Sequence, residues 1–221
     1  MANEAPTYHN LVSAFTDFLT VAIHTILYER KIYPQTSFLS ARKYNFAVRQ
    51  SRHPKVCEWI NDAVNAVETQ LLKGAVDRVA VVMYTKTNHP VERFMFDVSR
   101  FPVVSPTEVD LPLRRAPIDG GDEAILPYVD LEEQFRATMS KLGNCGAKLE
   151  SLPLGCTFTI AIELKDDGLP PLSHPQAWMP VEPTDIDSHR DAATEKHSLP
   201  VRTVAAGELV FEAWIEELTV P

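Results

Sequence analysis

Residues 8–34, YHNLVSAFTDFLTVAIHTILYERKIYP, form the stretch that decides the fold. At about 100° per residue, most of its apolar side chains fall within roughly half of a helix circumference, and a second apolar stripe lies outside that arc. The residues of the main arc are Leu11, Val12, Phe15, Phe18, Leu19, Ala22, Ile23, Ile26 and Leu27. Asp17 is the only formal charge along this apolar part. We predict a helix capped by Asn10, ended by Pro34, and packed by a sheet on one face and by helices on the other.

The composition is typical of an acidic globular protein. The chain has 221 residues, of which 45% are hydrophobic, enough for one domain with a substantial core. The formal net charge of −9 argues against unaided binding to a phosphate backbone, which requires clustered Lys and Arg. The three cysteines are far apart, which indicates a reducing compartment and no metal site. No secretory pattern and no apolar run of about 18 residues is found, so we expect an intracellular protein that does not span a membrane.

The remaining hydrophobic pattern predicts an α+β chain. Further helices are indicated at 54–74 and 129–142, and strands at 79–85, 91–98 and 156–164. Pro54 suits a first helical turn and Gly74 the position after a last turn, while His53 is expected to help cap the helix. Residues 35–53 are expected to form a connector with short extended pieces.

Two proline-rich segments interrupt this order. Residues 101–127 contain five prolines and the run D-G-G-D, which predicts a long, mobile surface loop. Residues 165–200 contain six prolines and are predicted to hold little secondary structure beyond a short extended piece at 177–181. Strand-like or short helical character resumes at 208–218.

No catalytic or metal-binding constellation is found in the sequence. There is no G-x-G-x-x-G, no P-loop and no H-E-x-x-H. Asp185, Asp187 and Asp191 resemble the start of a calcium loop. However, Arg190 stands at the glycine position and Lys196 at the final glutamate position, so no calcium site is expected.

The single candidate groups favour structural roles. Cys156 lies on the apolar face of a predicted strand, where a buried thiol is favoured over a nucleophile. His24 is expected to be a hydrogen-bonded histidine of the core or its boundary rather than a catalytic base. Glu132 and Glu133 are expected on a solvated helix face. The residues therefore favour a binding module over an enzyme.

The C-terminal tail carries the feature that points to binding. It is long and proline-rich, and Trp178, Phe211 and Trp214 need something to bury against. Either the tail packs back on its own domain, or it also wraps a partner peptide. The residues alone leave both interpretations open.

Several short runs resemble the HORMA family. They are I-L-Y-E-R-K-I-Y-P at 26–34, R-K-Y-N at 42–45 and H-P at 53–54, followed by strands and a helix around Phe135 in the order of that family. The resemblance covers about residues 8–218. It implies three helices packed on a mainly antiparallel sheet, and a C-terminal safety belt that closes over a partner peptide.

The resemblance also implies how the chain is divided. Residues 1–7 would be a flexible N-terminus and residues 8–164 a HORMA core, with a long mobile loop at 102–127. Residues 165–221 would form the safety belt, as part of the same domain.

Within the family, K-Y-N, H-P and the run G-C-T-F-T at 155–159 resemble the branch that serves DNA polymerase zeta. This resemblance implies a non-catalytic adaptor in translesion DNA synthesis, with no cofactor and no direct contact to nucleic acid or membrane. The expected location is the nucleus, with the cytoplasm as a second one. The adaptor would clamp a proline-containing peptide of the catalytic subunit of DNA polymerase zeta, bridge to a Y-family polymerase scaffold, and form a HORMA–HORMA homodimer. A spindle-checkpoint or meiotic HORMA adaptor is the main alternative, and an enzyme with an unseen site is the remaining one.

Individual residues take their implied roles from the same resemblance. Trp59 and Trp178 would contact the partner peptide, and Arg136 would lie at the dimer surface. The second polymerase would be contacted by Ser198, Glu212 and Trp214. Leu154 departs from the pattern, because relatives have Pro at that position.

Overall fold

The computed structural model describes residues 6–105, 107–113, 128–166, 168, 178 and 195–219. The helices are α1 (Tyr8–Glu29), α2 (Pro54–Leu72) and α3 (Tyr128–Leu142), with short 3-10 helices at Gln35–Ser37 and Cys145–Ala147. The strands are β1 (Phe38–Lys43), β2 (Phe46–Ser51), β3 (Val76–Tyr84), β4 (Pro90–Asp97), β5 (Thr157–Leu164), β6 (Glu195–Ala206) and β7 (Leu209–Leu218). The predicted α+β class is confirmed, since these helices accompany antiparallel sheets.

Helix α1 lies at the centre of the hydrophobic core, as its two apolar stripes predicted. It contacts α2, α3 and β2, and Phe18 packs both against Phe135 of α3, at 4.7 Å between ring centroids, and against Phe96 of β4, at 6.1 Å. By length and composition alone α1 could cross a membrane, but its apolar arc is fully buried inside the fold. The prediction of packing on two faces is confirmed.

Both predicted ends of α1 were wrong. The N-cap is Thr7, and Asn10 is instead the third helical residue, whose side chain completes a capping box with Thr7. The helix ends at Glu29, well before Pro34. Lys31 adopts φ 54°, and the backbone N–H groups of Lys31 and Ile32 donate to carbonyls of the last turn, as in a Schellman motif. Since glycine usually occupies that left-handed position, a lysine there gave no stop signal.

The larger sheet has the strand order β5-β3-β4-β7-β6, with every neighbouring pair antiparallel. Strand β3 lies between β5 and β4, which agrees with its nearly all-apolar sequence. One face of the sheet packs against α1 and its neighbours through Val79, Val81, Phe94, Phe96, Phe211 and Ile215, all buried. The opposite face carries a second, small apolar cluster.

The predicted connector at 35–53 is instead a β-hairpin. β1 and β2 pair directly, and Tyr44 and Asn45 form the turn with φ values of 52° and 53°. Two consecutive positive φ values define a type I′ hairpin turn, for which Asn-Gly is the usual signal. With Tyr in the first position, the sequence lacks that signal, which is why the hairpin was missed.

Helix α2 confirms two of its three predicted end signals. Pro54 is the first helical residue, and Gly74 follows the helix with φ 70°. His53 occupies the N-cap position, but its side chain makes no capping hydrogen bond, so its predicted capping role is wrong. A proline at the first helical position has no N–H to be satisfied, which reduces the need for such a cap.

The C-terminal region contains two long strands where one short element was predicted. β6 begins at Glu195, inside the segment predicted to be irregular, and β7 resolves the ambiguity at 208–218 in favour of a strand. β6 is an edge strand of the larger sheet, and a register shift lies between Pro200 and Arg202; both features allow a proline within a strand. The predicted piece at 177–181 lies outside the described residues except for Trp178.

The described part of the proline-rich loop packs on the start of α1. Phe101 is buried and meets Phe15 edge to face at 5.3 Å, and the backbone N–H of Leu113 donates to the carbonyl of Pro6 at 2.9 Å. Residues 1–5, 114–127 and the aspartates of the calcium-like run lie outside the described residues. The predicted flexibility of the N-terminus and of the loop therefore stays a prediction.

Candidate functional site

Strand β5 forms one edge of the larger sheet. Among the described strands it pairs only with β3, so its other side presents backbone N–H and C=O groups that no described strand engages. The opposite edge, β6, contains Pro200 and two register shifts. Such interruptions discourage further pairing, whereas a regular edge strand is a template for an added one. β5 is therefore the edge to which an extended peptide can add.

An aromatic group lies beside this edge. Phe158, near the start of β5, meets Trp59 of α2 edge to face at 5.0 Å, and it meets Tyr33 in the same geometry at 6.4 Å. Trp59 and Phe158 are both half-buried, so part of each ring is accessible. The structure thus places the predicted peptide-contacting residue Trp59 at the edge strand. Phe158 and Tyr33 were not predicted as site residues.

Trp178 packs on the body of the fold. It is partly buried and packs against the main hydrophobic core. This agrees with the first interpretation of the tail, in which its aromatic residues pack back on their own domain. Contact of Trp178 with a partner peptide stays a prediction.

The segment that holds Trp178 joins opposite edges of the sheet. β5 ends at Leu164 on one edge, and β6 begins at Glu195 on the other. The intervening strands β3, β4 and β7 separate these edges by about 19 Å at the usual spacing of about 4.8 Å per strand. Because β6 and β7 attach beside β4, they leave the outer side of β5 unoccupied by any described strand.

A buried ion pair lies beneath the C-terminal strands. Arg30 donates to both carboxylate oxygens of Glu92 in β4, with Nε 2.8 Å from Oε2, and also to the carbonyl of Glu150. The Glu150 N–H donates to Glu217 of β7 at 2.9 Å. Burial raises the pKa of Glu92, and the hydrogen bond from Arg30 opposes that rise. Sequence patterns did not single out these residues, because the pair joins positions 62 apart.

The three residues assigned to a second polymerase lie together on the sheet face away from α1. Trp214 pairs across strands with Met95, and its Nε1 donates to Glu216 at 2.8 Å. Ser198 is the cross-strand neighbour of Glu216, and Glu212 lies two residues before Trp214 on the same face. Ser198 and Glu212 are exposed and Trp214 is half-buried. The shared face is therefore established, and contact with a second polymerase stays a prediction.

Arg136 lies on the outward side of α3. Its side chain is 40% exposed, and its guanidinium lies 3.3 Å from the carboxylate of Glu133, one turn earlier. Glu132 and Glu133 are exposed, as predicted. This is the ordinary surface ion pair of a helix, worth a few tenths of a kcal/mol. A dimer contact by Arg136 stays a prediction.

Burial favours the neutral forms of His24, Cys145 and Cys156. Burial lowers the pKa of His24 to about 4, and the Ser51 backbone N–H donates to its Nδ1 at 3.4 Å, so the predicted core histidine is confirmed. Burial also raises the pKa of Cys156, and it raises that of Cys145 to about 12, which disfavours a thiolate nucleophile at either position. Among the described residues, no group of three His, Cys, Asp or Glu could hold a metal ion.

These features define the class of protein. Residues 12–208 match the HORMA domain family, and the chain belongs to that family. Similar proteins include the DNA polymerase zeta processivity subunit of Schizosaccharomyces pombe, 33% identical over 94% of this chain and 93% of the relative. The mitotic spindle assembly checkpoint protein MAD2B of Gallus gallus is 30% identical over 94% of this chain and 90% of the relative.

Solved structures show the same architecture. A chain from the crystal structure of the mitotic checkpoint complex matches with a TM-score of 0.68 at 18% identity, covering 94% of this chain and 98% of that chain. HTP-2 of C. elegans, bound to the HIM-3 closure motif, matches with a TM-score of 0.66 at 12% identity, covering 97% and 92%. At these identities the likeness concerns the fold, and it confirms the predicted HORMA-like arrangement.

Proposed function

We propose that this chain is a non-catalytic adaptor subunit of DNA polymerase zeta in translesion DNA synthesis. It holds a proline-containing segment of the catalytic subunit as an extra strand against β5, and residues 165–221 form the safety belt that closes over that segment. The named relative in Schizosaccharomyces pombe supports the choice of polymerase, because it is similar over nearly the whole chain.

The edge of β5 that no described strand engages is the observation that carries this proposal. Backbone hydrogen bonds to an edge strand supply affinity, and side-chain pockets beside it supply specificity. Trp59 and Phe158 offer aromatic surface at this edge, and proline rings pack well on aromatic faces. Burial favours neutral His24, Cys145 and Cys156, so these three residues offer no competing catalytic group, which supports an adaptor over an enzyme.

Two further surfaces complete the proposal. The sheet face with Ser198, Glu212 and Trp214 engages a Y-family polymerase scaffold, and it is separate from the β5 edge, so both partners can bind at once. The outer side of α3 around Arg136 forms a HORMA–HORMA homodimer. The assembly acts in the nucleus.

Partner capture tests the proposed function. The full chain, tagged and expressed in its host cell, is expected to retain the catalytic subunit of DNA polymerase zeta. The same chain with Trp59→Ala is expected to retain less of it, whereas Trp214→Ala, on the opposite sheet face, is expected to retain as much. Retention of spindle-checkpoint or meiotic proteins without the polymerase would overturn the proposal in favour of a checkpoint or meiotic adaptor, as MAD2B relatives and the checkpoint-complex fold suggest.

A further inference from the structure

The charges of this chain are unevenly distributed. The 28 residues from Arg30 to Cys57 contain seven Lys or Arg and no Asp or Glu, although the whole chain has a formal net charge of −9. Since those seven positive charges are included in that total, the rest of the chain has a net charge of −16. The basic stretch consists largely of the β1–β2 hairpin and the residues that flank it.

Only two of these cations are neutralised within the described structure. Arg30 is buried against Glu92, and the Lys43 Nζ lies 3.2 Å from a carboxylate oxygen of Asp17. No described carboxylate lies within ion-pair distance of the other five, which are Lys31, Arg42, Arg49, Arg52 and Lys55. All five are exposed except Arg49, which is half-buried.

Arg42 and Arg49 share one face of the hairpin. Ser40 is the cross-strand neighbour of Arg49 and lies two residues before Arg42, so the three side chains are on the same side. The Arg49 guanidinium lies over the ring of Tyr28 at 4.5 Å and donates to the Ser40 hydroxyl at 2.6 Å. These contacts fix the guanidinium before any ligand arrives and leave most of its five donors available.

One carboxylate interacts with this face without cancelling its charge. Glu29, at the end of α1, is partly buried; burial raises its pKa, and the positive charges of Arg49, Arg30 and Lys31 oppose that rise only in part. A single partly buried carboxylate among several cations leaves the face positive.

The hairpin geometry favours a peptide over a nucleic acid. β1 pairs only with β2 among the described strands, so its outer edge offers backbone donors and acceptors to an extended chain. A nucleic acid has no peptide backbone, so it cannot pair with the N–H and C=O groups of β1 as an added strand can. The charge of −16 on the rest of the chain also repels a long polyanion, whereas a short acidic segment meets mainly the local positive field.

We propose that the face of the β1–β2 hairpin that carries Arg42 and Arg49 docks an acidic peptide segment of a partner protein, at a site separate from the β5 edge. The segment lies extended along β1, and its carboxylates accept hydrogen bonds from Arg42 and Arg49, with Lys31 adding positive charge at the hairpin base.

Fluorescence anisotropy with the full chain tests this site. The probe is a labelled peptide in which Asp alternates with Thr over the length of β1, and the control probe has Asn in place of every Asp. The wild type is expected to bind the Asp peptide and not the Asn peptide. The double substitution Arg42→Gln/Arg49→Gln is expected to weaken binding at least about tenfold, through loss of charge-assisted hydrogen bonds.

A matched variant separates the site from general electrostatics. Lys73 and Arg100 are exposed and lie outside the hairpin, so Lys73→Gln/Arg100→Gln changes the net charge equally and is expected to alter binding by about twofold at most. If the Arg49 substitution prevents folding, Lys31→Asn/Arg42→Gln replaces it, since asparagine tolerates the left-handed backbone at Lys31.

Three results would overturn the proposal. They are absence of binding to the Asp peptide, equal weakening in the two matched variants, and tighter binding to a single-stranded oligothymidylate than to the Asp peptide. The last result would assign the hairpin to nucleic acid instead.

Discussion

Arg30, the residue that follows α1, forms a buried ion pair with Glu92 in the middle of the sheet. The two side chains are only 4% and 3% exposed, and their Nε and Oε2 atoms are 2.8 Å apart. Through Glu150, the same guanidinium is connected to Glu217 of the last strand. The pair thus joins the end of the central helix to the C-terminal strands, which attach beside β4 rather than beside β5.

Removal of the carboxylate from this pair is expected to destabilise the fold strongly. Glu92→Gln leaves the Arg30 charge buried without its counter-ion, which costs about 3–5 kcal/mol in the free energy of unfolding. The exposed pair of Arg78 and Glu163 provides the control, because Glu163→Gln is expected to cost less than about 1 kcal/mol. Urea denaturation of the three proteins measures the difference, and equal midpoints for the two variants would contradict the prediction.

The neutral His24 is expected to make stability depend on pH. Its folded pKa of about 4 lies below its ordinary value of 6.5, so between these values the unfolded chain binds the extra proton and the folded chain does not. The free energy of unfolding therefore does not depend on the protonation of His24 above about pH 6.5. It falls by about 3 kcal/mol as the pH decreases from 6.5 toward 4.

Urea denaturation across that range checks the prediction. The loss between pH 7 and pH 4 is expected to be smaller in His24→Gln, whereas His9→Gln, at an exposed histidine, is expected to follow the wild type. Parallel curves for wild type and His24→Gln would show that His24 is not responsible.

Substitutions of tryptophans on the two faces of the sheet are expected to distinguish the binding sites of the two partners. Trp178→Ala and Trp59→Ala are each expected to weaken binding of the polymerase peptide by about 2 kcal/mol or more, as for buried aromatic anchors at interfaces. Trp214→Ala is expected to leave that affinity unchanged, because Trp214 lies on the face away from α1. Calorimetric titration gives the affinities, and a circular dichroism spectrum establishes that each variant is folded. An unchanged affinity in Trp178→Ala would remove this residue from the site.

Arg136→Ala is expected to favour the monomer and to leave peptide affinity nearly unchanged. Arginine is enriched at interfaces, and loss of the surface pair with Glu133 would by itself cost only a few tenths of a kcal/mol. Multi-angle light scattering, at a concentration where the wild type self-associates, measures the mass. Arg100→Ala serves as the control for removal of an exposed arginine. The same mass for all three proteins would show that Arg136 does not contribute to a dimer and forms only the surface ion pair with Glu133.

Enclosure by the belt is expected to make peptide dissociation slow. A protease site introduced between residues 185 and 190 allows the belt to be cut after the complex has formed. Cutting removes the enclosure while β6 and β7 keep their sheet contacts, so the dissociation rate is expected to rise. This design avoids deletion from residue 170 onward, which would also remove the buried side chains of Phe211 and Ile215. Equal rates before and after cutting would show that the tail is only packed on its own domain.

The helices and the central strands could be predicted from local patterns. The two apolar stripes of α1, the apolar run of β3 and the end signals Pro54 and Gly74 each depend on residues close together in the chain. The β1–β2 turn and the end of α1 escaped prediction, because Tyr44 and Lys31 adopt left-handed conformations that usually belong to Gly or Asn.

The candidate site was predictable only in part. The sequence by itself determined the α+β composition and, through its short motifs, the resemblance to the HORMA family. It also supplied Trp59, but not its contact with Phe158, which lies 99 positions away in the chain. Only the tertiary structure decided that β7 pairs with β4, that no described strand other than β3 pairs with β5, and that Arg30 meets Glu92. Periodicity reports which side of an element is buried, whereas strand neighbours depend on backbone hydrogen bonds and on contacts between distant segments, which no local pattern encodes.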